Sequence, residues 1–526
     1  MSWKILVSDP IAEEGIAALR AEAEVDVKTG LKPEELVEII GEYDALVVRS
    51  ETKARADIIE AGKKLQVIGR AGIGVDNIDL DAATRKGIVV VNAPAGNVSS
   101  AAEHTLALLL ALARHVPQAH SKLKSGEWNR KAFMGTELRN KTLGLIGMGR
   151  VGEQVVRMVK GLEMKLVAYD PFVSEERADL LGVELVSLEE LLKRSDFITV
   201  HVPMTSSTKG MIGKKELAKV KPTVRFINTA RGGIIDEEAL YKAIEEGRVA
   251  GAALDVFTKE PATDNILLQS ERVIVTPHLG ASTEEAQTTV AVDVAEQILA
   301  VLKGRPARSS VNLPLMAPET ASVLTPFLPV AMDTGRLCAQ LADGHTSTIA
   351  IKYEGEIAEH DTAALMAGVL GGLLESVTEE RVNLVNASLI AQSRGLKVVE
   401  QKTVKCDNYA NLISVEVITD VGTTTVAGTL MRGEPHIVRV DNYWIDIVPT
   451  GGYWLFSDHL DRPGLIGAVG NVTGGADINI SSMQVGRLEP RGRALMILSV
   501  DKEVNEEVRQ QLLAVPDVYN VKVVKL

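Results

Sequence analysis

The hydrophobic positions near the N-terminus come in short β-branched runs separated by longer stretches of helical pattern: KILV around residue 5, ALVVR at 45–49, QVIG at 66–69 and IVVV at 88–91. Unbroken apolar runs of this length suit strands buried on both faces, and their alternation with helical stretches predicts βαβ units around a parallel sheet. A long helix is expected next, over residues 98–118, with Asn97 or Ser99 as its cap and Pro117 near its end. A second series follows: TLGLIG (142–147), KLVAYD (165–170), FITVHV (197–202), VRFINTA (224–230), AGAALDV (250–256) and VIVTP (273–277). It predicts a second doubly wound sheet, of six strands.

Beyond a helical segment over 283–303, Pro306, Pro314, Pro318, Pro326 and Pro329 crowd a short stretch that reads as a linker or the start of a new domain. Residues 330–450 mix helix-like and strand-like segments and carry no motif that points to chemistry. From Tyr453 the pattern runs strand (YWLF), loop (SDHLDRPG), helix (LIGAVGNVTGG), strand (INISSMQVG), strand (ALMILSV), helix (NEEVRQQLLA) and strand (VYNVKVVKL). This βαββαβ order predicts a ferredoxin-like fold. A chain of 526 residues exceeds what one core supports, so length demands the same modular reading.

Composition removes several function classes. The balance of 57 basic against 70 acidic side chains, net −13, repels polyanions and argues against a nucleic-acid partner. Cys338 and Cys406 are too few for a disulfide framework or a zinc site, which points to a reducing compartment, with cytoplasm as the default. No secretory leader pattern opens the chain, and the longest apolar runs, 106–113 and 363–374, fall short of the roughly 20 residues a membrane helix needs.

Gly147, Gly149 and Gly152 form G-x-G-x-x-G directly after the strand LGLI and at the head of a helical stretch. Glycines there let the backbone turn and approach a pyrophosphate, whose charge is met by the helix N-terminus. Asp170 ends the next strand, 18 residues beyond Gly152, where a carboxylate can accept both ribose hydroxyls. The same carboxylate repels the 2′-phosphate of NADP, and Pro171 and Phe172 offer no cation to neutralise it, so NAD is the expected cofactor.

Arg231 (NTARGG), Glu260 (KEPA) and His278 (TPHLGAST) stand at the ends of later strands, where ligands of such sheets bind. Each alone has an ordinary structural explanation as a salt bridge, a solvated loop residue or a packed side chain. Together they meet a chemical need. His278 can take a hydroxyl proton while hydride leaves, Glu260 can hold the imidazole tautomer, and Arg231 can bind a carboxylate in a bidentate fork.

These segments, in this order and spacing, resemble the D-2-hydroxyacid dehydrogenases of the formate and glycerate dehydrogenase type over residues 1–310. The resemblance implies a substrate domain of residues 1–97 plus 286–310 and a Rossmann-type NAD domain of residues 98–285 set between its parts. It also implies cofactor contacts at Arg150, Val151, Thr229, Ala230 and Asp255. Within that family, VVRSETKA (47–54), GRAGIGVDNID (69–79) and NAPAGN (92–97) are most similar to the branch that oxidises D-3-phosphoglycerate in L-serine synthesis. By that likeness Arg49, Arg70, Gly72, Gly74 and Asn97 line the substrate site, and two arginines suit a doubly charged phosphate. The segment 127–138 resembles the family's dimer loop, with Arg130 or Lys131 reaching toward a neighbouring subunit, and a homo-oligomer, as a tetramer, is expected.

Residues 313–450 resemble the intervening domain of the longest members, an α+β unit, and 452–526 resemble an ACT domain, the small amino-acid-sensing module of biosynthetic enzymes. The likeness implies L-serine as effector, contacted by His459, Asp461 and Asn479. Two other readings stay open: a dehydrogenase of another D-2-hydroxy acid, such as glycerate or 2-hydroxyglutarate, and an NAD-sensing corepressor that binds partner proteins.

Overall fold

A computed structural model describes residues 3–305, 307–314, 318–375, 378 and 381–526. Pro306 of the expected linker lies outside the described residues, and of Pro318 only its place at the head of a helix is described. Among the described residues the strands form four sheets.

The first sheet is wholly parallel, in the order 24–27, 4–7, 45–48, 67–70, 89–92. Its inner strands are almost entirely buried, as their continuous apolar runs require. The strand Glu24–Val27 is absent from the hydrophobic pattern because Glu24 and Val27 stay at the surface, whereas the opposite edge strand Val89–Asn92 is mostly buried. The helix Glu284–Leu302 returns to this sheet, where Val290, Val294 and Ile298 join its core.

The second sheet is also parallel, in the order 273–275, 251–254, 225–228, 197–200, 142–146, 165–169, 184–185. It has seven strands rather than the expected six; the addition is the two-residue edge strand Glu184–Leu185. The strand order reverses between 142–146 and 197–200, which opens a crevice at their C-terminal ends.

The helix expected over 98–118 is two helices, Val98–Arg114 and Val116–Lys124, with His115 between them in the left-handed region (φ 52°). Pro117 begins the second helix instead of ending the first, since a residue without an amide hydrogen is tolerated in a first turn but not in a helix interior. Asn97 stands at the cap position but makes no capping bond.

The third sheet is mixed, in the order 397–403, 346–355, 411–419, 423–431, 434–440, 443–447, with the helices Leu328–Leu341 and Ala363–Glu375 packed on it. The fourth has the ferredoxin-like order 480–487, 493–500, 453–460, 518–525. Trp454, Phe456, Ile497 and Val524 from its open face complete the core of the third sheet, so these last two units share one hydrophobic interior.

Candidate active site

The strand Thr142–Ile146 ends in Gly147 (φ 96°), and the helix Arg150–Val159 begins just beyond it. A Cβ at 147 would lie 2.7 Å from the His201 carbonyl oxygen, and one at 152 would lie 2.4 Å from the Gly147 oxygen. Only glycine fits at either place. Gly149 has open space above it, as a cradle for a phosphate group requires, and Arg150 is exposed beside it while Val151 is half-buried. The Asp170 carboxylate accepts from the Met148 amide (2.8 Å) and the Phe172 amide (2.9 Å). A carboxylate offers about four lone-pair directions, so two remain for ribose hydroxyls. These residues fit a dinucleotide.

On the facing sheet, Arg70 ends the strand Val67–Arg70 and lies against Gly72, where a Cβ would be 1.6 Å from its Nη1. Arg231, from the loop after Arg225–Asn228, crosses to the first sheet, with its Nη2 only 1.8 Å from where a Cβ on Gly74 would stand. Burial, then the charges of Arg231 and Arg49, push the Arg70 guanidinium down to about 10. Arg231 Nε bonds Asp76 at 3.1 Å, a carboxylate that is itself mostly exposed. Buried Nε of Arg70 and Oδ1 of Asn97 have no partner. Three cations thus converge with two carboxylates near them, the exposed Asp76 and the buried Asp9, which leaves an excess of positive charge that an anion can answer.

His278 Nδ1 lies 2.8 Å from Glu260 Oε2, and Glu260 Oε1 accepts from the Phe257 amide at 3.0 Å. Burial pushes the Glu260 carboxyl up, but the bonds from His278 and the Phe257 amide outweigh it and hold the group below its ordinary value. The imidazole therefore keeps Nε2 free for a substrate hydroxyl. Gly232 brings the arginine loop against this pair: a Cβ there would lie 1.9 Å from the Phe257 carbonyl carbon.

Comparison with known proteins agrees with this geometry. Family models match for the NAD-binding domain of D-isomer-specific 2-hydroxyacid dehydrogenases (residues 106–280), the D-3-phosphoglycerate dehydrogenase intervening domain (323–441) and the ACT domain (453–517). The D-3-phosphoglycerate dehydrogenase of Synechocystis is 48% identical, over 99% of this chain and 95% of that one. That of Methanocaldococcus jannaschii is 47% identical, over 99% and 100%. The chain belongs to the D-3-phosphoglycerate dehydrogenase family. Among solved structures, the TT0316 protein of Thermus thermophilus is 33% identical with a TM-score of 0.55, covering 59% of this chain and 99% of that one. The Aquifex aeolicus D-lactate dehydrogenase, complexed with NAD and lactic acid, is 30% identical with a TM-score of 0.53, over 57% and 96%. Like others of the family, this is an NAD-dependent oxidoreductase carrying an ACT domain, and among the described residues no helix is long and apolar enough to cross a membrane.

Residues that the family likeness names for cofactor and effector are bonded within the chain. Asp255 has a fully buried side chain, with Oδ1 accepting from Thr276 Oγ1 (2.6 Å) and the Leu279 amide (2.7 Å) and Oδ2 from the Gly280 amide (2.9 Å). Its carboxylate braces the segment that carries His278. Thr229 Oγ1 is bound to Thr105 Oγ1 at 2.7 Å, and the Ala230 carbonyl accepts from Arg231 Nη1 at 2.7 Å. In the ACT domain His459 is 2% exposed with Nδ1 3.1 Å from the Ser457 oxygen, because its strand turns that position inward. Asp461 is partly exposed and accepts from Arg487 Nη1 (3.1 Å), and Asn479 is exposed.

The motifs passed over Asp9 and Asn77. Asp9, 1% exposed, accepts from the amides of Arg49 (2.6 Å) and Thr52 (3.0 Å) and from Thr52 Oγ1 (2.5 Å). Asn77 Nδ2 donates to the Arg49 and Thr52 oxygens at 2.9 and 2.7 Å. Together they fix the loop that presents Arg49. The signal available in sequence was an acid directly after the strand KILV, where buried carboxylates commonly tie down loops.

Proposed function

We propose that this chain oxidises D-3-phosphoglycerate to 3-phosphohydroxypyruvate with NAD, as the first step of L-serine synthesis in the cytoplasm. The observation that carries the reading is the convergence of Arg49, Arg70 and Arg231, the last on a loop whose Gly232 packs against Phe257, the residue whose amide bonds Glu260. A substrate with one carboxylate and a doubly charged phosphate answers all three cations. An unphosphorylated glycerate or a hydroxyglutarate brings less charge to Arg49 and Arg70. The relatives bearing the name D-3-phosphoglycerate dehydrogenase match the whole length of this chain, which supports the same substrate.

When bound, NAD would supply the acceptor for the hydride that leaves C2. Arg231 holds the substrate carboxylate and, as the carbonyl forms, stabilises its developing charge. His278 Nε2 takes the hydroxyl proton, and Glu260 keeps the imidazole in the tautomer that leaves Nε2 open and stabilises the cation that results. Arg49, Arg70, the backbone at Gly72 and Gly74, and Asn97 hold the phosphorylated end. Gly147, Gly149, Arg150, Val151 and Gly152 would hold the pyrophosphate, and Asp170 the adenine ribose.

Asp170 also sets the preference for NAD over NADP. Asp170→Ala is expected to raise the KM for NAD by roughly 10- to 100-fold, the worth of charge-assisted hydrogen bonds, while narrowing discrimination against NADP. Initial rates with both cofactors measure this, and an unaltered KM for NAD would remove Asp170 from the cofactor site.

For the C-terminal unit we propose L-serine as effector, with Asp461 toward its ammonium group and Asn479 toward its carboxylate. Binding has to draw Asp461 away from Arg487, an exposed pair of small net stability. We also propose a homo-oligomer, a tetramer. Leu110, Val116, Leu123, Trp128 and Met134 are exposed apolar side chains on and after the helices that follow residue 97, which a neighbouring subunit would cover.

The test is NADH formation from D-3-phosphoglycerate, with a trap for the keto acid, with and without L-serine. Turnover that falls with added serine is expected. Turnover indifferent to serine would leave the ACT domain as an assembly module, and absence of turnover from protein that binds NAD would overturn the substrate assignment.

A further inference from the structure

The helix Val98–Arg114 joins the two halves of the catalytic unit, and one of its faces bonds to both loops that carry chemistry. Ser100 Oγ donates to the Gly280 oxygen at 2.9 Å. His104 Nε2 lies 3.2 Å from Asp255 Oδ1 and 3.1 Å from Thr276 Oγ1. Thr105 Oγ1 meets Thr229 Oγ1 at 2.7 Å, two residues before Arg231. Positions 100 and 104 are one helical turn apart and 105 is adjacent, so a single face reaches both loops.

We propose that His104 is a positioning residue for hydride transfer: through Asp255 and Thr276 it holds the segment that presents His278. The inference rests on the His278 mechanism given above.

The case begins with the backbone. His278 has φ 57°, a left-handed conformation that a residue with a side chain keeps only where its surroundings fix it. What fixes it is Asp255. The His278 amide donates to the Asp255 carbonyl at 2.9 Å, and the next two amides, Leu279 and Gly280, donate to its carboxylate. That carboxylate is wholly buried. It therefore keeps its place and its charge only while its donors stay in place. Two are backbone amides of the segment itself and one is Thr276, on the same segment. His104 is the donor from a different element, and it ties the segment to the interdomain helix. Its Nε2 must carry the proton, because it faces a carboxylate oxygen and a hydroxyl whose own hydrogen is directed to that carboxylate. Ser100 and Thr105 flank it, so the helix sets the spacing between His278 on one loop and Arg231 on the other. Loss of the central bond lets the general base drift relative to the group that holds the substrate.

The experiment compares the full-length chain with His104→Ala and His104→Gln, by steady-state kinetics and thermal melting, using whichever 2-hydroxy acid the unaltered chain oxidises fastest. Gln carries an N–H donor at nearly the reach of Nε2. His104→Ala is expected to lower kcat roughly 10- to 100-fold, the scale of a displacement of about 1 Å at the reacting centre, with the KM for NAD little changed. His104→Gln is expected to recover most of that loss. Equal losses in Ala and Gln, an unchanged kcat in Ala, or a rise confined to the KM for NAD would each overturn the proposal. A purely structural role would lower the melting temperature while leaving kcat per folded molecule intact. If His104→Ala does not fold, Ser100→Ala and Thr105→Val break the flanking bonds singly, and an unaltered kcat in both overturns the idea. Choosing the substrate by turnover keeps a failed phosphoglycerate assignment distinct from a failed role for His104.

Discussion

His278→Asn is expected to reduce kcat about 100- to 10,000-fold, the range associated with loss of a positioned general base, while NAD binding stays as it is. Asn is the replacement of choice because position 278 is left-handed (φ 57°), a region Asn tolerates better than Ala does. The variant thus removes the imidazole without disturbing the backbone that Asp255 holds. Glu260→Gln is expected to fall less, since an amide oxygen can still accept from Nδ1 but carries no charge to stabilise the protonated ring. The Glu260 carboxyl is held below its ordinary value despite its burial, so it is ionised through the neutral range. Its contribution to stability is therefore complete above the ordinary glutamate range near pH ~4.3 and is lost as pH falls through the lower folded value. Steady-state rates and titration of NADH fluorescence check both variants. A His278→Asn enzyme with near-normal kcat would remove His278 from proton transfer.

Arg70→Met should raise the KM for D-3-phosphoglycerate by roughly 30- to 5,000-fold, corresponding to the 2–5 kcal/mol typical of removing one partner from a buried charge pair. The unliganded variant should melt no lower than the parent, and that second readout separates a binding role from a structural one. Arg70 is a mostly buried cation with an unpartnered Nε, pushed down by burial and by two neighbouring arginines. A mostly buried charge that Asp76 and Asp9 offset only in part destabilises the free protein, and Met fills much the same volume without it. Arg70→Lys should recover binding only in part, because an ammonium lacks the planar fork that matches phosphate. Testing D-glycerate alongside assigns the contact: a loss much larger for the phosphorylated substrate places Arg70 on the phosphate, and an equal loss places it on the carboxylate. If KM is unaffected, the cation cluster is not the substrate site.

The local chemistry of this chain was legible where a short segment contains its own reason. The glycines at 147 and 152 are such a case, because a turn and a close backbone approach allow nothing else at those positions. The inner strands of both parallel sheets announce themselves because burial on two faces forces unbroken apolar runs. The edge strands Glu24–Val27 and Glu184–Leu185 do not, since their side chains partly face water and the pattern fades, while the mostly buried edge strand Val89–Asn92 stays legible. Pro117 misled for a related reason: a proline marks a helix boundary without saying on which side the helix lies.

What the amino-acid order determined by itself was thus the modular α/β architecture, the dinucleotide cradle and the presence of Arg231, Glu260 and His278 at strand ends. Tertiary structure alone decided how they meet. Arg70 and Arg231 are far apart in the chain, and only the approach of the Arg231 loop to Gly74 brings their guanidinium groups together. Asp255 and His104 show the same limit. Each reads as an ordinary polar residue beside apolar neighbours, and its role arises from partners more than 20 positions away, brought within 3.2 Å by the fold. Spacing along the chain encodes contacts within a turn, a helix or a strand, whereas a site assembled from separate elements depends on distances that no local pattern contains.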